Sequence, residues 1–533
     1  MSDENKKSDL RIFAEELLNR NRNKLSSEDC EMLQKVKKDD EMFSKLLDKI
    51  ISKESYSLLR HLSIIEDDTL DTEILRDVYG KRFDDFEKLM KELEDSGLIG
   101  KDDEKTGEIY FSSLSARDAV IDDDAKLHAL ASKYYLEKAE KTGNFEDRLN
   151  ALNHSLKSDR LDETIELFLE SSRNAKGYEK ELIVIGEELL KKTDRKKEGE
   201  ILRMLGSLSY DCNLFNRAGE YYNRAVEVYM EYSHEDPVKY MPELAKILNN
   251  FGNVCHAMGK YEDAENHFNW AATIFTKLNS PQDLAITLEN LGMMYVDAEK
   301  YDNAEKIFKD VIELKKDVLK GEDIPSIARI YQRLAETFWK QDRLDEAEKT
   351  FKEMLEFLEG VCEGDNLSVL AGARSALASF YVDTGRSDDA LEVVHRVMSD
   401  FNLIPETRTR VYMIGAKAYE LKGERDLAAD LYMKAACLSF ILFRQYGIYV
   451  TNFLFLLEKV EELSSGEMRG DATLMRQAIM RNYYGAKKLV IQDIECGKKG
   501  QMILNAVKGK SISSFKVESQ EEMAAYLIAN DIN

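Results

Sequence analysis

The stretch Phe251–Ala271, with the sequence FGNVCHAMGKYEDAENHFNWA, decides the fold of this 533-residue chain. It places a small residue, Gly252, twelve positions before Ala264, and Ala264 stands four positions before the large apolar residue Phe268. Two antiparallel helices that cross closely need small side chains where their backbones meet, and a large side chain fills the remaining space. The stretch therefore predicts a pair of packed antiparallel helices.

The same spacing occurs in six segments of the chain, and the intervals between successive small residues are 46, 40, 43, 43 and 38. Each helix pair leaves an apolar face that only stacking on a neighbour can bury, so we predict an array. The small residues are Gly206, Gly252, Gly292, Ala335, Ala378 and Ala416, the alanines are Ala218, Ala264, Ala304, Ala347, Ala390 and Ala428, and the large residues are Tyr222, Phe268, Phe308, Phe351, Val394 and Tyr432.

This spacing resembles that of the tetratricopeptide (TPR) repeat, and the intervals above the usual 34 residues are similar to the long repeats of kinesin light chains. The resemblance implies an all-α fold, a right-handed TPR superhelical solenoid, here preceded by a small winged-helix module. Pro242, Pro281, Pro325 and Pro405 each fall a few residues before a predicted first helix, so we expect them in the turns between repeats.

Composition agrees with a helical protein. Proline occurs only 5 times, and charged residues make up 33% of the chain against about 25% in an average protein. The net charge is 76 − 101 = −25, which opposes extensive binding to nucleic acid phosphates. The composition thus predicts the fold class and excludes a broad nucleic-acid surface.

The cysteines and the apolar segments indicate a cytoplasmic protein. The six cysteines are scattered, with no CxxC spacing and no disulfide framework, as expected in a reducing compartment. The first eleven residues have no apolar signal-peptide core, so we expect no signal peptide. The apolar segment 435–457 carries Arg444 and Gln445 near its centre, so we interpret it as a buried helix pair rather than a membrane span.

Residues 56–111 predict a winged helix. We expect helices at Tyr56–Ile65, Thr72–Tyr79 and Phe83–Asp95, strands at 97–99 and 109–111, and a polar wing at 100–107 between them. A winged helix followed by helical repeats resembles the C-terminal half of STAND-type signalling ATPases. No GxxxxGK[ST] phosphate-binding motif occurs in the sequence, and the 55 residues before the winged helix are too few for a nucleotide-binding domain. We therefore expect the chain to resemble that C-terminal half without the nucleotide-binding domain.

The charge of this module argues against DNA binding. Residues 56–121 contain nine Lys and Arg against seventeen Asp and Glu, a net charge of −8, and the phosphate backbone would repel it. A protein-docking or purely structural role fits better. Residues 487–516 are the opposite, with seven lysines and two acids, and their charge could contact an acidic partner or, as we favour, the acidic body of the same chain.

The predicted domain organisation follows from these segments. We expect N-terminal helices at 1–55, the winged-helix-like module at 56–121, a helical linker with a degenerate TPR at 122–198, and six TPR repeats at 199–438. C-terminal helices at 439–494 are expected to cap the array. The basic tail at 495–533 is predicted to form a hairpin, with strands at 501–507 and 511–517, before a short helix at Gln520–Ala529.

No catalytic or metal-ligand motif occurs in the sequence, so we predict a non-enzymatic protein with no cofactor. The informative positions lie on the first helix of each repeat. When position 1 is set seven residues before the small residue, positions 2, 5, 6, 9, 12 and 13 are expected to face the concave groove. The candidate peptide-binding residues there are Asn249, Asn250, Asn253, Asn290, Arg329, Arg333, Trp339 and Lys340.

Some TPR domains grip a C-terminal carboxylate, and the resemblance places Asn253, Asn290, Arg329 and Arg333 at four of their five clamp positions. Asn249 stands where that family has a lysine. Glu289 and Glu336 lie in the same predicted groove and would repel an acidic peptide. The alternative is that all these polar residues form only a solvated concave face.

The sequence therefore predicts an adaptor or scaffold that binds a peptide or protein segment in the concave TPR groove, with the C-terminal carboxylate of the partner as one candidate for the group that is bound. Two alternatives stay open. One is a transcriptional or signalling regulator derived from a STAND-like protein, and the other is an accessory subunit of an enzyme complex. The oligomeric state cannot be derived from the sequence.

Overall fold

A computed structural model describes residues 51–67, 69–80, 85–101, 108–113, 124–319, 323–362, 364–400, 403–446, 450–484, 494–508 and 518–532, with isolated residues between 13 and 120. The chain divides into two compact units, Met1–Ile274 and Phe275–Asn533. In each unit, most helices pack against their neighbours in chain order. This is the arrangement that the repeated helix-pair pattern predicts. The finer domain boundaries given above remain predictions.

The described part of the first unit begins with a small module of helices and strands. The strands form an antiparallel sheet in the order β1-β3-β2, in which Gly100 lies opposite Tyr110. Its elements are α1 (Lys53–Ser63), β1 (Leu70–Asp71), α2 (Thr72–Tyr79), α3 (Phe86–Ser96), β2 (Ile99–Lys101) and β3 (Glu108–Phe111). The winged-helix assignment itself stays a prediction, and most of its wing lies outside the described residues.

Local sequence explains where the helices of this module begin and end. The Asp71 side chain accepts hydrogen bonds from the backbone N–H groups of Glu73 and Ile74, which caps the N-terminus of α2. Gly97 ends α3 in the left-handed conformation, at φ +86°, which only glycine adopts without strain. Strand β1 was not predicted, because two residues are too few to show a hydrophobic period.

Helices make up the rest of the first unit. Residues 145–192, which belong to the predicted helical linker with its degenerate TPR, form three helices. The bounds are α4 (Ala125–Thr142), α5 (Phe145–Lys157), α6 (Leu161–Arg173), α7 (Glu179–Lys192), α8 (Arg195–Asp211), α9 (Phe215–Ser233), α10 (Pro237–Ala257) and α11 (Tyr261–Lys277), the last of which extends past residue 274.

The second unit is helical throughout its described residues, apart from turns and one short 3-10 segment at Gly364–Asn366. Its helices are α12 (Pro281–Asp297), α13 (Tyr301–Leu319), α14 (Ile324–Lys340), α15 (Leu344–Val361), α16 (Leu367–Asp383), α17 (Ser387–Asp400), α18 (Pro405–Lys422), α19 (Arg425–Tyr446), α20 (Val450–Leu463), α21 (Gly466–Tyr484), α22 (Lys498–Val507) and α23 (Gln520–Ile532).

The packing confirms the physical reason for the repeated pattern. The six alanines and the six large residues of the repeats are all buried. A Cβ atom added at Gly292 would lie 2.5 Å from the ring of Phe308, and one added at Gly252 would lie 2.6 Å from the ring of Phe268. The small residue of each repeat is therefore needed because the large residue of the same repeat packs on its backbone.

A left-handed residue stands in the turn within every repeat, seven positions after the small residue. Three of these residues are glycines, but Asn213, Glu299 and Asp342 have φ of +58°, +58° and +60°. Non-glycine residues pay a steric cost in this conformation. The turn geometry is thus common to all six repeats although the residue at this position varies.

Two ion-pair networks join neighbouring repeats of the second unit, and we call them the inter-repeat latches. In the first, Arg343 reaches Glu305 at 2.8 Å and lies 4.5 Å over the ring of Phe338. In the second, 43 residues later, Arg386 pairs with Glu348 and lies 4.4 Å over the ring of Tyr381. These contacts fix each repeat against the one before it.

Glu348 is the most strongly held carboxylate of the latches. It accepts a hydrogen bond from the Tyr381 hydroxyl at 2.9 Å and pairs with Lys352 at 2.7 Å, in addition to Arg386. Burial alone would raise its pKa, but the hydrogen bonds from Arg386, Lys352 and Tyr381 lower the pKa to about 2.

The predicted place of the prolines, in the turns between repeats, needs correction because all four stand within helices. Pro281, Pro325 and Pro405 stand in the first turn of α12, α14 and α18. Pro242, however, lies inside α10, which begins five residues earlier at Pro237. The prediction for Pro242 was wrong because the Pro237 ring is already suited to start the helix, while an internal proline costs one backbone hydrogen bond without ending it.

The C-terminal region needs a second correction. Residues 501–507 belong to helix α22 and not to a hairpin strand, while residues 511–517 lie outside the described part. Met502, Ile503 and Ala506 are buried, which is a helical spacing that the apparent alternation concealed. The predicted helix at 520–529 is confirmed as α23.

The buried helix pair predicted near the end of the array is also present. Phe440 of α19 packs on Phe453 of α20 with ring centroids 5.2 Å apart, and both rings are buried. Within the described residues, no helix combines the length and the apolarity needed to cross a membrane.

Candidate functional site

The first helices of the repeats in the second unit, α12, α14, α16 and α18, lie next to one another in that order. We call the surface formed by their positions 2, 5, 6 and 9 the first-helix face. Its members are Ile286, Glu289, Asn290 and Met293 on α12, Arg329, Gln332, Arg333 and Glu336 on α14, Gly372, Ser375, Ala376 and Ser379 on α16, and Arg410, Met413, Ile414 and Lys417 on α18.

A cavity of about 260 Å³ opens on this face between α14, α16 and α18. Small side chains of α16 form its floor, and longer side chains of α14 and α18 form its walls. The lining residues are Gln332, Gly372, Ser375, Ala376, Ser379, Val382, Arg410, Met413, Ile414 and Lys417. The small residues leave room for a peptide backbone to approach α16 closely.

Two cations stand beside this cavity. Arg410 and Lys417 are both exposed and lie about two turns apart on α18. Neither forms an ion pair or a hydrogen bond with another described residue, whereas Lys422, Lys434, Lys459 and Arg476 of the same unit each have a carboxylate partner. Their charges are therefore open to a ligand.

The two arginines of the predicted carboxylate clamp are in a different environment. Arg329 Nε lies 2.8 Å from Glu289 Oε1, and its guanidinium also donates to Ser326 Oγ at 3.2 Å. Arg333 Nη1 lies 3.1 Å from Glu336 Oε2. The hydrogen bond with Glu289 raises the pKa of Arg329. The acids that were expected to repel a peptide thus neutralise the clamp arginines within the chain.

The remaining candidates on α14 differ in exposure. Trp339 is half-buried and packs edge-on against Phe380 of α16, with ring centroids 5.6 Å apart, so part of its apolar area is used between repeats. Lys340 is exposed at the end of the helix. Asn290 on α12 is half-buried and has interactions of its own.

The other candidates, Asn249, Asn250 and Asn253, lie on α10 in the first unit. Asn249 is buried, and its amide donates to Asn250 Oδ1 at 3.3 Å. Asn250 is also in hydrogen-bond contact with the hydroxyl of Tyr222. Asn253 is half-buried. Because Asn253 belongs to the first unit and Asn290, Arg329 and Arg333 to the second, the four-residue clamp stays a prediction.

Sequence reasoning did not single out the cavity floor. Gly372, Ser375, Ala376 and Ser379 occupy positions 2, 5, 6 and 9 of their repeat, so the counting rule already identified their places. They are not among the candidate binding residues predicted above, because small uncharged residues alone carry no chemical signal.

A family model for the tetratricopeptide repeat matches residues 243–317 and 283–360. A curated relative, the protein KINESIN LIGHT CHAIN-RELATED 1 of Arabidopsis thaliana, is 25% identical over 231 residues, which cover 41% of this chain and 37% of that protein. The chain thus matches little more than a third of that relative's length.

Solved structures are similar in part. A signal-transduction ATPase with numerous domains (STAND) that has a tetratricopeptide repeat sensor, from Pyrococcus horikoshii, shows 16% identity and a TM-score of 0.41 over 80% of this chain and 66% of that one. A putative kinesin light chain of Podosopora anserina with TPR-like repeats shows 17% identity and a TM-score of 0.32 over 39% of this chain and 98% of that one.

The family match coincides with helices α10 to α15, whose small and large residues pack as the repeat pattern requires. The chain therefore contains tetratricopeptide repeats over residues 243–360.

Proposed function

We propose that this protein is a non-enzymatic scaffold whose first-helix face in the second unit binds an extended, acidic segment of a partner protein. Tetratricopeptide repeats indicate a protein of the interaction-scaffold kind. The observation that supports the choice of surface is the pair of exposed cations, Arg410 and Lys417, beside a cavity with a floor of small residues.

The charge of the partner follows from the charge of this chain. At a net charge of −25 the protein repels acidic segments over most of its surface. A site where two exposed cations pair with no carboxylate of the described residues favours an acidic segment, because the segment gains charge-assisted hydrogen bonds there. A basic segment would find many other carboxylates and would have no reason to choose this face.

The surface also offers hydrogen-bonding capacity to the backbone of the partner segment. Gln332 donates through its Nε2 to Glu336 Oε1 at 2.9 Å, which orients its amide oxygen as an acceptor. Ser375 is buried and donates to the carbonyl of Ala371 at 2.7 Å, so it brings no competing charge to this surface. An extended segment across α14, α16 and α18 covers about 20 Å, or roughly six residues.

The test is a binding titration with decaglutamate as the probe. The variant Arg410→Gln/Lys417→Gln should weaken binding at least about tenfold, since each lost charge-assisted contact is worth roughly 1 kcal/mol. The matched control is Lys349→Gln/Arg396→Gln, which removes the same charge from exposed positions on the second helices α15 and α17. An equal loss in both variants would show that only overall charge matters and would overturn the proposal.

A carboxylate clamp at Asn253, Asn290, Arg329 and Arg333 is a separate proposal for the partner's C-terminus. It requires Arg329 and Arg333 to exchange Glu289 and Glu336 for the ligand. A peptide with a free C-terminus should then bind more tightly than its C-terminal amide. Equal affinity of the two forms would exclude the clamp while leaving the Arg410 and Lys417 surface in place.

The lysines of the C-terminal region do not favour the DNA-binding alternative. Lys498 pairs with Glu522 at 2.7 Å and Lys499 with Glu521 at 2.7 Å, so α22 is held by α23 through these charges. Both pairs lie within the predicted tail at 495–533, so the contact of its basic charge with the acidic body of the chain stays a proposal. The acidic module at 56–121 remains, by its charge, a second candidate surface for docking a protein.

The cysteines support a location in the cytoplasm, which we propose. Those in the described residues are all free, and Cys255, Cys362 and Cys437 are buried. Burial raises the pKa of the Cys255 thiol to about 11, so it is neutral and unreactive at physiological pH. These thiols behave as small apolar residues, as expected in a reducing compartment.

A further inference from the structure

Two arginines occupy the same repeat position in different surroundings. Arg329 and Arg410 are both at position 2 of their repeats, on α14 and α18. The residue that faces Arg329 is Glu289, at position 5 of the preceding repeat. The equivalent residue for Arg410 is Ser375, and it lines the same cavity as Arg410.

The residue at position 5 of one repeat determines whether the arginine at position 2 of the next repeat is neutralised. Glu289 has only 15% of its side chain exposed and lies 2.8 Å from the guanidinium of Arg329. Ser375 is buried and hydrogen-bonded to its own helix, so it brings no charge to Arg410. One part of the first-helix face, on α12 and α14, is therefore close to neutral, and the other part, on α16 and α18, is cationic.

Together with the proposed function, on which this step rests, we infer that Glu289 gives the first-helix face two unlike parts and so fixes the direction in which a partner segment lies on it. It confines the acidic residues of the partner to the part formed by α16 and α18, and the part formed by α12 and α14 accepts an uncharged continuation of the same segment. Exposed apolar area on α12, at Ile286, fits that continuation. Glu289 and Ser375 are thus specificity-determining residues, and the partner is a segment acidic in one half only.

The inference is tested with two probes: decaglutamate, and a peptide of five glutamates followed by five serines. The wild type should bind both with affinities that agree within about twofold, because only one half of the face attracts carboxylates. The variant Glu289→Gln frees Arg329, and it should bind decaglutamate about fivefold more tightly than the half-acidic peptide. An unchanged ratio in this variant would overturn the inference.

A reciprocal variant and a matched control sharpen the test. Ser375→Glu supplies Arg410 with the carboxylate that Arg329 already has, so both probes should bind at least about fivefold more weakly, with helical content checked by circular dichroism. The control Glu353→Gln removes the same charge from an exposed position on α15 and should leave the ratio of the two affinities unchanged.

The outcomes separate this inference from the proposed function. If the wild type binds both probes and Glu289→Gln changes nothing, the face binds acidic segments but has no direction. If neither the wild type nor Glu289→Gln binds either probe, the proposed function fails as well. If Glu289→Gln alone binds decaglutamate, Arg410 and Lys417 do not hold carboxylates in the wild type, and both the proposed function and the inference are overturned.

Discussion

The inter-repeat latches and the first-helix face of the second unit use the same charged residue types in opposite ways. In the latches, Arg343 and Arg386 each meet a carboxylate of the preceding repeat and lie over an aromatic ring. On the first-helix face, Arg410 and Lys417 form no ion pair with a carboxylate of the described residues. Position in the repeat does not separate stability from binding, since Arg329 and Arg410 share a repeat position and only Arg329 is paired among the described residues. The comparison teaches that the difference is made by the carboxylate that a neighbouring repeat supplies.

The largest effect is expected from breaking the second latch. Glu348→Gln removes the charge that Arg386, Lys352 and Tyr381 share, and the free energy of unfolding should fall by about 2 kcal/mol, since a largely buried carboxylate loses its charge-assisted hydrogen bonds to three partners. The midpoint of urea denaturation, followed by circular dichroism, measures this. Glu353→Gln, in an exposed pair with Lys349 at 3.7 Å, should cost less than about 0.5 kcal/mol.

The same carboxylate predicts a pH dependence. Because the pKa of Glu348 is lowered to about 2 in the folded chain, from an ordinary value of 4.5, its stabilising contribution is complete above pH 4.5 and is lost as the pH falls toward 2. The melting temperature of the wild type should therefore drop more steeply over this range than that of Glu348→Gln. Parallel curves for the two proteins would contradict the latch.

A smaller effect of opposite sign is expected in the turns beside the latches. Glu299 holds the left-handed conformation at φ +58°, so Glu299→Gly relieves steric strain and should raise the free energy of unfolding by about 0.5–1 kcal/mol. Gly259→Ala, at the equivalent position with φ +71°, should lower it by a similar amount. Thermal denaturation of both variants checks the pair.

The smallest effect on stability is expected on the first-helix face. Arg410→Gln/Lys417→Gln removes no ion pair or hydrogen bond found among the described residues, so its melting temperature should stay within about 2 °C of the wild type, corresponding to less than about 0.5 kcal/mol. A large loss of stability would show that these cations are held within the chain, and it would erase the contrast with the latches.

Much of the fold could be predicted from the sequence because it rests on local pairs with a fixed spacing. The small and large residues, such as Gly252 and Phe268, are sixteen residues apart in every copy of the pattern, and their contact depends only on the helix–turn–helix geometry. The hairpin predicted at 501–507 failed because short apolar runs fit both a strand and a helix, and burial of Met502, Ile503 and Ala506 settled it.

The candidate site could be predicted only in part. The counting rule identified which positions share a face, but not which charges would remain open, since that depends on contacts between repeats. Arg329 is 40 residues from Glu289, and nothing near either residue announces their pairing. The latches were missed for the same reason, because their partners are 38 residues apart and carry no local signal.

The most direct test of the central claim is to locate the bound segment. Decaglutamate carrying a photoreactive group would be crosslinked to the wild-type protein, and the modified peptides would be identified by mass spectrometry. We expect crosslinks in α16 and α18, within Leu367–Asp383 and Pro405–Lys422, and their loss in Arg410→Gln/Lys417→Gln. Crosslinks that fall mainly on the lysine-rich residues 487–516, unchanged in that variant, would contradict it.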